Sequence, residues 1–229
     1  MATVWTYGGY LCHASKVTSS RKEGSLPAKL DKVGDVTTNQ KFYEVNSRII
    51  SLNSELKKTL EAMTRLRTHA DQYESIVKEK SQKAKLAKKY INGSDLTNEE
   101  VKKVSSMSKD EIKRYGAAYY NEGTNTRVEL GPVNSIHKIL NTMKSEYESA
   151  YKKYQKIATL SSKLSSMMPV SQTAAASSYG IMRDIHDIVF ESINHWAAVV
   201  SDELFWMDGV KYANMWRDWL RDMPKPAAL

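Results

Sequence analysis

Between Gly34 and Gly93 the chain carries neither glycine nor proline, and a seven-residue apolar pattern runs through the gap. One set of positions is Phe42, Ile49, Leu56, Met63, Ala70, Val77, Ala84 and Ile91. The interleaved set is Val45, Leu52, Thr59, Leu66, Tyr73, Lys80 and Ala87, and only Thr59 and Lys80 break the apolar run. An apolar residue every 3.5 positions keeps one stripe turned toward a partner helix, so the spacing predicts a coiled-coil helix over 37–91. At 1.5 Å per residue that helix would be a rod of roughly 80 Å.

The pattern returns at Val133 and continues through Ile136, Leu140, Met143, Tyr147, Ala150, Tyr154, Ile157, Ser161, Leu164 and Met168. Residues 133–168 therefore read as a second helix of roughly 54 Å. The segment between the two seams offers Gly93 as a stop. It then carries two capping signatures, Thr97 with Glu100 and Ser108 with Glu111, which predict two short helices. "NEGTNTRVELGPV" reads as loop, with a short extended piece at Arg127–Leu130. With this cap at residues 93–132, the two long helices are expected to lie antiparallel as a hairpin.

Pro169 ends the second helix, and Ser171 stands near the start of the next. Over 173–207, Ile181, Ile185, Ile188, Val189, Trp196, Val199, Val200 and Leu204 mark one face of an amphipathic helix, expected as a third member of the bundle. Asp208-Gly209 breaks it, and Val210–Met223 reads as a last helix with Trp216, Trp219, Leu220 and Met223 inward. At the other end, "TVWTYGGYLCH" predicts a small β-hairpin or an extended arm, followed by a Ser-, Lys- and Gly-rich linker over 15–35. The expected class is all-α, in three parts. These are an arm and linker at 1–36, a helical hairpin with its inserted cap at 37–168, and a Trp-rich helical unit at 169–229.

Composition narrows the function classes. A single cysteine, Cys12, excludes an internal disulfide framework and a cysteine-based zinc site. No apolar run approaches the ~20 residues of a spanning helix, and the N-terminus lacks the basic-then-apolar pattern of a Sec signal. Cytoplasmic residence, signal-independent export and virion association all stay open. Net charge is +8, unevenly spread: residues 1–168 hold 29 Lys and Arg against 18 Asp and Glu, and residues 169–229 hold 5 against 8. Such asymmetry suggests complementary surfaces, within one molecule or between copies, or a basic region meant for an acidic partner.

Two groups of residues stand out as interaction candidates. Trp196, Trp206, Trp216 and Trp219 crowd into one short stretch. As core they anchor the C-terminal helices, and as exposed residues they are the type that dominates interface energy. Lys78, Lys80, Lys83, Lys85, Lys88 and Lys89 form a basic run that could neutralise phosphates. No arginine or aromatic is interleaved to stack on bases, so a solvated face is the plainer expectation. Asp187, Glu191 and His195 share a helical face, but Glu-x-x-x-His without a second copy is not the bundle di-metal signature. Cys12-His13 cannot act together on an extended chain, because neighbours there point to opposite sides. His69 and His137 sit singly among polar helix positions. There is no phosphate loop and no nucleophile elbow.

The sequence therefore predicts a non-enzymatic helical subunit without metal or cofactor. It would self-assemble or dock a partner protein through its seams and tryptophans. The alternatives are a membrane-acting helical protein that rearranges through the weakly charged stretch 160–182, and a sequence-independent nucleic-acid binder using Lys78–Lys89.

Overall fold

Helix dominates the computed structural model, which describes residues 5–7, 10–12, 36–120, 131–167, 173–203 and 209–229. The protein is an all-α bundle. Its helices are α1 (Val36–Asp71), α2 (Glu74–Ile91), α3 (Asn98–Ser105), α4 (Lys109–Tyr120), α5 (Gly131–Met167), α6 (Thr173–Glu203) and α7 (Gly209–Asp222). Near the N-terminus β1 (Trp5–Tyr7) and β2 (Tyr10–Cys12) pair antiparallel, with Trp5 opposite Cys12. The linker at 15–35, the loop at 121–130, the connection at Ser171, His13 and Trp206 fall outside the described residues.

The glycine- and proline-free stretch is not one helix, which corrects the uninterrupted 37–91 rod. At the join, the Tyr73 N–H turns to the Ala70 carbonyl three residues back, at 2.9 Å, while the Gln72 N–H still reaches Thr68 at 3.3 Å. That tighter turn interrupts the regular ladder, and the Val77 N–H on the Tyr73 carbonyl at 2.9 Å restarts it. Asp71 and Tyr73 are mediocre residues for a helix interior. No stronger breaker marks the place.

The cap forms from the two predicted signatures. The Thr97 hydroxyl accepts from the Glu100 N–H at 3.3 Å, and the Glu100 carboxylate accepts from the Thr97 N–H at 3.0 Å. Ser108 and Glu111 repeat the exchange at 3.1 and 3.0 Å. Each pair satisfies two orphan donors at a helix start. Gly93 leaves α2 with φ +63°, a conformation glycine adopts at no steric cost. The Ile91 side chain lies over Gly116 of α4, where a Cβ would collide with its Cδ1.

The chain divides into two compact units, each assembled from stretches distant in sequence. The first comprises residues 1–61, 147–186 and 225–229. In it Phe42 packs with Leu164, and Glu55 pairs with Lys153 at 3.0 Å. Ascending α1 therefore means descending α5. Asn53 Nδ2 donates to Ser177 Oγ at 2.7 Å, which places α6 on another side of α1. Ile49, Leu56, Ala150, Ile157, Met182 and Ile185 fill the core.

The second unit comprises residues 62–146 and 187–224. Met63, Ala70, Val77, Ala84, Ile136, Leu140, Met143, Val189, Ile193 and Val200 are buried there. α4 and α3 both pack on α2.

Every residue of the first predicted seam from Phe42 to Ala84 is buried, whereas Ile91 is exposed. Of the interleaved set Thr59 and Ala87 are buried, and the rest is not. Val45, Leu52, Leu66, Tyr73 and Lys80 are only half-buried, and Asn46, Asn53 and Ser81 are buried instead. A helix flanked on more than one side buries a wider arc than a two-stranded seam does. On α6, likewise, Ile181 and Ile188 stand at the edge, and Met182, Ile185, Val189 and Ile193 occupy the centre.

Candidate functional site

α7 buries Ala213, Trp216, Leu220 and Met223 on one face, at i, i+3, i+7 and i+10. Trp196 on α6 and Trp216 are each only 1 % exposed, and neither indole N–H meets an acceptor among the described residues. His137 is not the isolated polar residue expected. Its ring stacks on Trp216 with centroids 6.2 Å apart and meets the edge of Tyr212 at 5.9 Å, while Asn141 Nδ2 lies 3.0 Å from its Nε2. Trp219 is half-buried, and the Lys144 ammonium sits 5.1 Å from its ring centroid, within cation–π range.

The outer face of α7 is different. Val210 is 45 % exposed, Tyr212 37 % and Met215 47 %. Tyr212, Met215 and half-buried Trp219 fall at i, i+3 and i+7, so they form one stripe along the helix. Aromatic residues and methionine are the types enriched at protein interfaces. Around them stand Lys211, Arg217, Asp218, Arg221 and Asp222, charges of both signs.

The basic run meets carboxylates of its own chain. Lys78 pairs with Glu74 at 2.6 Å and Lys83 with Glu79 at 2.8 Å, both four residues apart on α2. Lys85 reaches Glu203 at 3.0 Å and Lys89 reaches Glu100 at 2.7 Å. Lys80 and Lys88 are half-buried. The side-chain hydrogen bond from Lys83 holds the Glu79 carboxyl below its usual range, and the bond from Lys89 does the same for Glu100. Of these four carboxylates Glu203, the partner of Lys85, comes from the acidic C-terminal part, and the other three belong to the basic part itself.

Glu203 is the centre of a small polar cluster at the end of α6. Ser81 Oγ, fully buried, lies 2.7 Å from the Glu203 carbonyl and 2.9 Å from its carboxylate. The carbonyl is one that the end of a helix leaves without an intrahelical donor. Burial pushes the Glu203 carboxyl up, but the hydrogen bonds from Lys85 and Ser81 outweigh it and hold the group below its ordinary value.

The face carrying Asp187, Glu191 and His195 does not converge on a point. Glu191 pairs with Arg67 at 3.0 Å, and His195 Nε2 lies 3.0 Å from Glu74. Among the described residues no group of His, Cys, Asp and Glu is placed to hold a metal ion. The hydrogen bond from Lys78, then that with His195, lowers the Glu74 carboxyl.

In the first unit, sequence reasoning passed over the last residues. Tyr151 Oη donates to the Lys225 carbonyl at 3.5 Å, and Tyr154 Oη donates to the Ala227 carbonyl. Tyr147, Tyr151 and Tyr154 line up along α5, with successive ring centroids 6.2 and 6.4 Å apart. Burial raises the phenols of Tyr147 and Tyr154. Two sequence signals pointed here: the tyrosine spacing of four and three, and Pro224 with Pro226 either side of Lys225.

No protein family matches this sequence, and no curated protein or solved structure is similar to it.

Proposed function

We propose that the protein is a non-enzymatic helical subunit that self-assembles through the outer stripe of α7, with the buried tryptophans behind that stripe fixing the helix that presents it. The observation that carries this reading is the exposure of Tyr212 and Met215 on the flank of a helix whose adjoining face is sealed by Trp216. A rigid helix holding an aromatic and a methionine outward meets a partner at low entropic cost, because its backbone is already ordered. The coiled-coil character of α1 and α5 belongs to the same reading, as the scaffold of the subunit.

The ion pairs of Lys78, Lys83, Lys85 and Lys89 weigh against a phosphate-binding role for the basic run, since each must be broken or shared to engage nucleic acid. For a membrane role, no helix among the described residues is long and apolar enough to cross a bilayer.

Size-exclusion chromatography with light scattering tests the proposal, at low and high salt and up to about 100 µM. A mass above the 26.0 kDa of one chain is expected, reverting to one chain in Met215→Lys. A parent that stays a single chain under every condition, or a Met215→Lys variant that assembles like the parent, overturns it.

A further inference from the structure

Residues 225–229 follow α7 without helix or strand and belong to the first unit. Pro226 and Leu229 are half-buried, while Lys225, Ala227 and Ala228 are exposed. A segment without helix or strand leaves its main-chain carbonyls free to accept. Two of those carbonyls, on Lys225 and Ala227, accept from Tyr151 and Tyr154. Aromatic side chains that hydrogen-bond the carbonyls of an extended, proline-containing segment constitute a known mode of peptide recognition.

We propose that the Tyr151–Tyr154 face of α5 is a peptide-binding site that takes the C-terminal segment of a second copy in trans as it takes its own in cis. The hydrogen bonds go to main chain, and the inward side chains are Pro226 and Leu229, so an identical tail satisfies every contact in the same order. Exchange of an identical element between copies is a low-cost route to association. The cis tail competes at an effective concentration of roughly millimolar, which masks the site until copies are brought close. The site lies in the first unit and does not depend on the α7 stripe.

The test uses two full-length variants. Pro226→Gly with Leu229→Ser removes the inward contacts of the tail and leaves the tyrosines. Tyr151→Phe with Tyr154→Phe, made in nitrogen-15-labelled chain, removes both hydroxyl donors and leaves the tail. Native mass spectrometry of the mixture is expected to show heterodimer in at least tenfold excess over random pairing. Association through α7 alone would give random pairing, so a statistical mixture overturns the proposal. Should far-UV circular dichroism show that the tyrosine variant does not fold, a fluorescent Met223–Leu229 peptide is titrated instead into the tail-disabled variant and the parent. Saturable binding at least tenfold tighter to the tail-disabled variant is expected, and equal or absent binding overturns it.

Discussion

Trp196 and Trp216 each bury a large ring at the cost of an indole N–H that meets no acceptor among the described residues. The ring is the stabilising part, so the two halves of the side chain separate by mutation. Trp216→Ala should lower stability in urea denaturation by about 3–5 kcal/mol, the usual loss for deleting a buried aromatic. Trp216→Phe should cost less than half as much, since it retains ring contacts and removes an unsatisfied donor. Equal losses would mean that the N–H is bonded after all. Gly180 gives a prediction of opposite sign. It lies inside α6 with nothing within 4 Å of the place a Cβ would occupy. Gly180→Ala should therefore stabilise by about 0.5–1 kcal/mol through helix propensity, and a lowered melting temperature would contradict the open space. The burial of Trp216 was legible in the helix pattern, but a tryptophan's acceptor and a glycine's clearance are properties of neighbours.

The helices were legible where periodicity is long and caps are explicit. Tyr147, Ala150, Ile157 and Leu164 of α5 are buried as the heptad predicts, and both capping boxes of α3 and α4 form. What periodicity missed is polar. Asn46, Asn53 and Ser81 occupy buried positions of α1 and α2 that a search for apolar residues passes over, and the break at Gln72-Tyr73 has no glycine or proline to signal it. Leu56→Asp or Leu140→Asp, placing an unpaired charge in a fully buried position, should each cost about 4 kcal/mol or more; parental melting in both would refute the seams.

The α2–α6 polar contacts predict a pH response. The Glu203 carboxyl has its pKa held below the unfolded value of 4.5. Its contribution is therefore complete above that value and is lost as pH falls through the lower folded value. The melting temperature of Glu203→Gln should be lower than the parent's at neutral pH, and the gap should narrow below about pH 4, as the linkage requires. A gap that stays constant down to pH 2 would show that Glu203 acts only through its carbonyl and shape.

At the scale of the whole molecule, the charge asymmetry of the sequence has an internal outlet: Lys85 of the basic part meets Glu203 of the acidic part. The sequence left open whether the asymmetry serves one molecule, a second copy or an acidic partner, since charge patterning carries no distance information. The C-terminal tail was illegible for a related reason. Seven residues without helical or strand periodicity look like an unattached end until the tyrosines that receive them are placed beside them. The division into two units was hidden as well, because each draws on stretches far apart in the chain. That division carries an optical consequence. Trp196, Trp216 and Trp219 all belong to the second unit, while the first holds one tryptophan, Trp5. A deeply buried indole emits at shorter wavelength than one in water, so in a Trp5→Phe chain blue fluorescence is the signature of the second unit. Far-UV circular dichroism, by contrast, sums the helices of both. Coincident thermal midpoints by the two signals would mean that the units melt as one cooperative body, and separated midpoints would let each be followed by its own colour.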